Sequence, residues 1–267
     1  MTTVDDKPAA QDPHDNVNYR YFLDYVSGKA AGKENFRVLD FGCGMGEMVA
    51  LMREAGLDVS GADVFYAGAT DIAPRLRAQI DDGYVREIKD DGRIPFDDDS
   101  FDLVVSNQVF EHVEDIDAVQ AEIKRVLKPR GIAYHHFPSR EVFREGHTGI
   151  PLCHRMKHGS RLQRNYTLAL RRLGFGSHKW ENPDPREWTD FKLDWIDKYC
   201  FYRPYDELME LFERDYEVTH REIDYCRFRA QGRPGLERVL SSKLAERPAD
   251  WAFQKLAFMV LEMRLRA

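Results

Sequence analysis

The sequence predicts an α/β protein with a doubly wound, mostly parallel sheet of seven strands, helices on both faces and a helical insert after the fifth strand. Between residues 36 and 137, short apolar runs alternate with amphipathic helical patterns. This alternation is typical of a parallel sheet covered by helices. After residue 138 the alternation stops, and two more strand patterns follow only toward the end of the chain. A length of 267 residues fits one such domain with an additional region.

Each element is predicted from its local pattern. Apolar residues at positions 116, 119, 123, 126 and 127 share one helical face, Gly56 is typical of a helix stop, and Pro129 with Gly131 predicts a break before the fifth strand. The segment 255–265 has a pattern that also suits a helix. The predicted strands are residues 36–41, 58–63, 84–88, 101–106, 132–137, 216–223 and 255–265. The predicted helices are residues 16–29, the stretch from the glycine turn to 55, and residues 72–80, 115–127, 206–214 and 233–245.

The composition excludes several classes of protein. Hydrophobic residues make up 43% and charged residues 32% of the chain, which is unlike a disordered protein. The longest apolar run, residues 256–261, is too short for a membrane span, and the amino terminus lacks an apolar leader, so we expect a cytoplasmic protein. The four cysteines show no ligand spacing, so we expect no metal.

The most informative motif is VLDFGCGMG at residues 38–46, between a predicted strand and a predicted helix. Alternating glycines allow a tight turn and leave backbone N–H groups facing a ligand. A dinucleotide fingerprint would read G-x-G-x-x-G, whereas this loop reads G-x-G-x-G and follows an acid, Asp40. An acid would repel a phosphate, so the loop favours a cationic cofactor such as S-adenosylmethionine.

Residues 36–139 resemble the class I (Rossmann-like) S-adenosylmethionine-dependent methyltransferases, of the small-molecule type with a VLDxGCGxG motif. The resemblance includes IPFDDDSFD at residues 94–102 and LVVSNQVFEHV at residues 103–113. It also includes KPRG at residues 128–131, where Arg130 replaces a glycine of the usual LKPGG. The resemblance implies methyl transfer from S-adenosyl-L-methionine, with S-adenosyl-L-homocysteine as product.

The resemblance also implies the cofactor contacts. The glycine loop would hold the methionine part, the acid ending the second strand the ribose, and an acid after the third strand the adenine. Spacing independently returns Asp63 to the sheet edge that carries the loop, and carboxylates bind vicinal hydroxyls well. For the Cys43 side chain we expect burial in the turn rather than nucleophilic chemistry. The predicted cofactor-binding residues are Asp40, Gly42, Cys43, Gly44, Gly46, Asp63, Val64, Asp90, Asp91 and Asn107.

The acceptor side is less defined. A hydroxyl acceptor profits from a general base, and histidine suits that role at neutral pH. The predicted catalytic candidates are Glu111, His112, His147 and His154, with a bracing role for His112 as an alternative. His135 and His136 point to opposite faces of their strand, so at most one faces the site.

Charge divides unevenly along the chain. The net charge is −7, composed of −11 in residues 1–150 (17 basic, 28 acidic) and +4 in residues 151–267 (22 basic, 18 acidic). Residues 146–180 contain seven Lys and Arg but no Asp or Glu. This stretch predicts an anionic acceptor, with a solvated helix face as the alternative. The predicted substrate-binding residues are His136, Arg155 and Arg161.

These observations give a domain plan and a functional expectation. Residues 1–15 would be a flexible tail, 16–138 a Rossmann-like cofactor-binding core, 139–200 a helical and loop insert covering the substrate, and 201–267 the end of the core. The expected reaction is O-methylation of a hydroxyl on an anionic or sugar-like metabolite by in-line displacement. An RNA methyltransferase and a non-catalytic S-adenosylmethionine-binding protein are the alternatives. We expect a small-molecule acceptor, with neither nucleic acid nor a membrane as partner, and a homodimer remains open.

Overall fold

The computed structural model describes residues 12–65 and 74–266, apart from the side chains of residues 74 and 243–247. Its centre is a seven-stranded sheet in the order β3-β2-β1-β4-β5-β7-β6. Strands β1 to β5 run parallel, while β7 is antiparallel to both β5 and β6. The predicted fold class is therefore confirmed. The strands are β1 Arg37–Phe41, β2 Asp58–Asp63, β3 Val85–Glu87, β4 Phe101–Asn107, β5 Leu127–Phe137, β6 Tyr216–His220 and β7 Met259–Leu265.

Helices cover both faces of this sheet. The central strands are buried on both sides, as β1 illustrates with Val38 and Leu39 pointing into separate hydrophobic cores. One core lies under α1, α2, α3 and α8, and the other lies under α4 and α7. The helices are α1 Val17–Ala30, α2 Glu47–Glu54, α3 Pro74–Asp81, α4 Ile116–Val126, α5 Arg161–Arg172, α6 Pro185–Tyr199, α7 Tyr205–Phe212, α8 Glu222–Ala230, α9 Pro234–Leu240 and α10 Lys243–Leu256.

Several predicted boundaries are corrected by the structure. The segment 128–131 does not precede β5 but lies inside it, because Leu127 already pairs with Phe101 before the register shifts. Arg130 adopts a φ of +66° there, so the proline and glycine form an irregularity within the strand. We predicted strand up to residue 223, but α8 begins at Glu222.

The carboxyl-terminal region differs as well. The predicted helix 233–245 is two helices, α9 and α10, and α10 continues through Pro248 as far as Leu256. The last strand consequently begins at Met259 rather than at residue 255, and the strand interpretation of this segment is confirmed over a helical one. Of the predicted tail, residues 1–11 lie outside the described residues, and Pro13–Asp15 form one 3-10 turn. Residues 72 and 73 of a predicted helix also lie outside them.

Residues 139–200, called the insert below, follow β5 and contain α5 and α6. These two helices pack together, and the guanidinium of Arg164 on α5 binds both carboxylate oxygens of Asp190 on α6 at 2.6 and 2.7 Å. A small core of Ile150, Cys153 and Trp188 stabilises the insert from within. Across the described ranges, no helix is long and apolar enough to cross a membrane.

Candidate active site

The glycine loop, residues 42–46, connects β1 to α2 at the carboxyl edge of the sheet. Its three glycines have φ values of +73°, +53° and +69°, the left-handed region that favours glycine. A Cβ on Gly42 would lie 2.3 Å from the Val109 side chain, whereas a Cβ on Gly44 would meet nothing within 4 Å. Gly42 is therefore required by packing, and Gly44 borders open space in which a ligand fits.

Asp40 lies at the end of β1, directly beneath this loop. Its side chain is buried, and neither carboxylate oxygen has a hydrogen-bond partner among the described residues. Burial, assisted by the nearby charge of Asp63, raises the pKa of Asp40 well above its ordinary value. An unpaired buried carboxyl group is costly, and a cationic ligand would remove that cost.

Asp63 ends β2 and reaches the glycine loop, as its spacing predicts. One carboxylate oxygen accepts a hydrogen bond from the Gly44 backbone N–H at 2.8 Å, and the other accepts one from Phe65 at 3.0 Å. The next residue, Val64, is 45% exposed beside it. The Asp63 carboxylate thus fixes the loop and still presents lone pairs for hydroxyl groups.

The other predicted cofactor residues surround this centre. Cys43 is buried, with its sulfur packed against Gly61, and burial raises the pKa of its thiol well above its ordinary value. Asn107 ends β4 and accepts a hydrogen bond from the Asn18 amide at 3.2 Å, which ties α1 to the sheet edge. Asp90 and Asp91 are exposed in the turn after β3.

The residues present fit S-adenosylmethionine. The orphaned Asp40 carboxyl suits its cationic amino-acid part, the open side of Gly44 leaves room for the ligand, and Asp63 suits the ribose diol. A pyrophosphate would meet two acids at this loop instead of free donors. The geometry therefore agrees with the charge argument made from the sequence.

A short 3-10 turn, Phe110–His112, follows β4 and lies between the glycine loop and a second group of polar residues. Val109 contacts Gly42, and two positions later the Glu111 carbonyl accepts a hydrogen bond from Phe201 at 2.7 Å. The turn thereby joins the cofactor edge of the sheet to the end of the insert. This second group, called the acid–imidazole cluster below, comprises Glu111, His112, Glu145, His147, Cys200 and Tyr202.

Glu145 and His147 form the centre of the cluster. The fully buried Glu145 carboxylate lies 2.8 Å from His147 Nδ1 and accepts further hydrogen bonds from Thr148 and from the Tyr202 hydroxyl at 2.6 Å. Burial alone would raise the pKa of Glu145, but hydrogen bonds from His147, Thr148 and Tyr202 outweigh it and lower the pKa to about 2. Glu145 is therefore ionised at neutral pH and fixes the orientation of the His147 ring.

His112 is held in a similar way on the other side. Its Nδ1 donates a hydrogen bond to the Tyr199 carbonyl at 2.7 Å, and its ring centroid lies 5.0 Å from that of His147. Burial lowers the pKa of His112, so the ring is neutral at neutral pH. Because a carbonyl only accepts, Nδ1 carries the proton and Nε2 is the basic nitrogen.

Glu111 differs from Glu145 because its charge has no partner. Both of its carboxylate oxygens are buried and unpaired among the described residues. Burial, with a smaller contribution from the charge of Glu145, raises the pKa of Glu111 to about 8. Glu111 is therefore largely protonated at neutral pH, and its hydroxyl form can donate a hydrogen bond.

A cavity of about 310 Å³ opens beside His147. The Trp195 ring lies 4.7 Å from the His147 ring, and on another part of the lining Lys192 pairs with Glu181 at 2.6 Å. An aromatic ring, a cation and an anion in the lining of one cavity suit a ligand that has both a flat apolar face and hydroxyl groups. The lining residues are His147, His178, Glu181, Phe191, Lys192 and Trp195.

The remaining predicted residues do not line this cavity. His154 is buried against the Tyr202 ring at 4.9 Å, and its Nε2 donates to the Arg140 carbonyl. His136 is buried on the opposite side of the sheet from His135, where its ring packs against Phe258. The expectation that His135 and His136 face opposite sides is confirmed.

The two predicted substrate arginines behave differently from each other. The Arg155 guanidinium donates to the backbone carbonyls of residues 140–142 and so holds the segment around Arg155 against the chain that follows β5. Arg161 starts α5 and is exposed. Neither belongs to the cavity lining.

Sequence reasoning missed three residues that contact the predicted histidines. Tyr202, Cys200 and Trp195 lie about 50 residues or more from the histidines that they contact, and no spacing pattern links them. Their only sequence signal is the aromatic and histidine content of the segment that precedes β6. The fold, rather than a motif, brings these side chains together.

Comparison with known proteins agrees with this geometry. A family described as a methyltransferase domain matches residues 39–135. The methyltransferase GfsG of Streptomyces halstedii is 36% identical over 135 residues, which cover 44% of this chain and 49% of that protein. A ubiquinone biosynthesis O-methyltransferase of Chelativorans sp. is 32% identical over 122 residues, covering 45% of this chain and 46% of that one.

The chain thus spans about half the length of the curated relatives that it matches. Among solved structures, an S-adenosylmethionine-dependent methyltransferase from Mesorhizobium loti has the same fold, with a TM-score of 0.50 and 18% identity. The match covers 91% of this chain and 98% of that one. Residues 39–135 thus match a methyltransferase-domain family, and the glycine loop and the strand order around them agree with a class I S-adenosylmethionine-dependent methyltransferase domain.

Proposed function

We propose that the protein methylates a hydroxyl group on a compact, sugar-like acceptor bound in the cavity beside His147. The observation that carries the proposal is the Glu145–His147 pair, 2.8 Å apart, whose histidine lines this cavity. S-adenosylmethionine supplies an activated methyl group when it is bound. The chain must then align the acceptor, exclude water and remove the hydroxyl proton.

His147 is suited to remove that proton. Glu145 holds the proton of His147 on Nδ1, which leaves the lone pair on Nε2, the far side of the ring. The buried carboxylate also stabilises the imidazolium that forms when Nε2 takes the acceptor proton. Glu145 is a positioning residue, His147 is the proposed base, and His112 braces the turn beside them through Tyr199.

The surroundings favour a neutral, hydroxyl-rich acceptor over a strongly anionic one. Within the described lining, Lys192 is paired with Glu181, so the wall offers both a donor and an acceptor of hydrogen bonds. Of the basic stretch, Arg164 pairs with Asp190 and Arg155 binds backbone carbonyls. The Trp195 ring provides a surface on which a sugar or other ring can stack.

The names of the relatives support transfer to small molecules of several kinds. One is an O-methyltransferase of ubiquinone biosynthesis, and another, from Caenorhabditis elegans, is a sterol 4-C-methyltransferase that is 24% identical over 163 residues. Transfer to oxygen is preferred for this chain because a positioned base lines the cavity.

An acceptor screen tests the proposal. The purified protein is incubated with S-adenosylmethionine and with sugars, glycosides, phenols, amines or RNA, and S-adenosylhomocysteine release is measured. We expect release with hydroxyl-bearing ring compounds, and none with RNA. Methylation of RNA or of amines alone would contradict the proposal, and cofactor binding without any turnover would favour a non-catalytic role.

A further inference from the structure

We propose that His112, His147 and Cys200 form a binding site for a divalent metal ion of the zinc type, and that the bound ion blocks the proposed base. The second half of this inference rests on the proposed function, whereas the metal site itself does not. One ligand atom from each of the three residues lies within 4.8 Å of the other two. Imidazole nitrogens and a cysteine sulfur are the ligands that zinc prefers in proteins.

Two of the three distances between ligand atoms are close to those of a zinc site. Cys200 Sγ lies 3.8 Å from Nδ1 of His112 and 3.8 Å from Nδ1 of His147. In a tetrahedral site with ordinary zinc–sulfur and zinc–nitrogen bonds, a sulfur and a nitrogen are separated by about 3.6 Å. Each of these two sulfur–nitrogen distances therefore needs to shorten by only about 0.2 Å to hold the ion.

The three residues are also placed by separate, well-fixed segments. His112 lies in the turn after β4 and His147 in the insert, while Cys200 directly follows α6. The Cys200 N–H donates to the Ile196 carbonyl at 2.9 Å, so its backbone continues the hydrogen bonding of α6. A site assembled across three elements has little freedom to lose when an ion binds.

A buried carboxylate lies beside the three ligands. Glu145 Oε1 lies 2.8 Å from His147 Nδ1 and belongs to a fully buried carboxylate. With a cysteine thiolate and this carboxylate, the two positive charges of the ion are neutralised, as a buried site requires. The donor set of two nitrogens and one sulfur selects zinc and its neighbours over magnesium or calcium.

Metal binding changes the protons of the site in a defined way. The ion takes the Nδ1 lone pair of each imidazole, so the hydrogen bonds of His112 to Tyr199 and of His147 to Glu145 are given up, and each ring carries its proton on Nε2 instead. The Cys200 thiol binds as thiolate and releases its proton to solvent. With a proton on Nε2, His147 cannot accept one from a hydroxyl group. The metal-bound state and the base-competent state of His147 therefore exclude each other.

Titration with cobalt tests the metal site in the absence of any methyl acceptor. The full-length protein is titrated with Co²⁺, and the thiolate-to-cobalt charge-transfer band in the near ultraviolet is followed. We expect one ion per chain and loss of the band in Cys200→Ser, while Cys226→Ser, a change on α8 away from the cluster, keeps it. A band that survives in Cys200→Ser, or no band in the wild type, would overturn the site.

Inhibition by Zn²⁺ tests the second half. With an accepted substrate, we expect Zn²⁺ at one equivalent to abolish most of the turnover and a chelator to restore it. If Co²⁺ gives the band but Zn²⁺ leaves turnover unchanged, the site is real and His147 is not the base. That result would contradict the inhibition and the proposed function, and it would leave the metal site standing.

Discussion

The buried carboxylate of Glu145 lies 2.8 Å from Nδ1 of His147, and the ring of this histidine lies 5.0 Å from that of His112 in the turn after β4. The carboxylate has hydrogen bonds from His147, Thr148 and Tyr202, so little of its hydrogen-bonding capacity is left unused. A buried charge satisfied in this way stabilises the fold, and it also fixes the tautomer of the histidine.

Glu145 should make stability depend on pH in the acidic range. Its folded pKa of about 2 lies below its ordinary value of 4.5, so its contribution is present above about pH 4.5 and is lost as the pH falls through about 2. The contribution is at most about 3 kcal/mol. The free energy of unfolding, measured in urea, should fall more for the wild type than for Glu145→Gln as the pH is lowered through this range. The same pH dependence in both proteins would contradict the low pKa of Glu145.

Asp40 should couple cofactor affinity to pH. Its raised pKa means that acid protonates it, while a cationic ligand favours the ionised form, so binding of S-adenosylmethionine should weaken as the pH falls. Asp40→Asn should lower the affinity about 10-fold to 100-fold and remove this pH dependence. Calorimetry measures both effects. Asp58→Asn, at the exposed start of β2, is the control and should bind as the wild type does.

Glu111 should destabilise the protein at alkaline pH. Its folded pKa of about 8 lies above its ordinary value of 4.5, so stability is fully present below about pH 4.5 and is lost as the pH rises through about 8. Glu111→Gln removes this loss, which is at most about 5 kcal/mol. Between about pH 5 and about pH 9, the urea midpoint of the wild type should fall more than that of Glu111→Gln. Parallel behaviour would show that Glu111 has a partner when folded.

Alanine substitutions at Gly42 and Gly56 distinguish the cost of backbone strain from the cost of a steric clash. Both have positive φ, but a Cβ at Gly42 would lie 2.3 Å from Val109, whereas a Cβ at Gly56 meets nothing within 4 Å. Gly56→Ala should cost about 1–2 kcal/mol from backbone strain alone. Gly42→Ala should cost more and should also weaken binding of S-adenosylhomocysteine. Equal losses of stability in urea, with binding intact in both variants, would contradict this role of Gly42.

The cofactor half of the molecule was predictable because its signals are local. Asp40, the glycine loop and the end of β2 lie within 24 residues, and parallel strands return Asp63 to the same edge of the sheet. Boundaries were less predictable where tertiary packing overrides local pattern. At 128–131 the chain continues in the sheet although proline and glycine normally interrupt a strand, because the irregularity absorbs them.

The acceptor half was only partly predictable. His112 was chosen because the turn after the fourth strand faces the acceptor in the family that the sequence resembles, and His147 was chosen from its residue type in the insert. Neither Tyr202 nor Cys200 follows any spacing rule. Their meeting depends on how the insert folds back over the sheet, which involves contacts such as the one between Phe201 and Glu111. Similarly, the basic stretch suggested free cations, but Arg164 is paired with Asp190, a residue outside that stretch.

The rate of methyl transfer by His147→Gln, measured with an accepted hydroxyl substrate against the wild type, tests the central claim most directly. Loss of a general base should lower kcat by about 10²-fold to 10⁴-fold. S-adenosylhomocysteine affinity, measured alongside, should stay close to the wild type, because the carboxylate and the rings that His147 contacts lie outside the glycine loop. A variant that keeps the wild-type kcat would contradict the account.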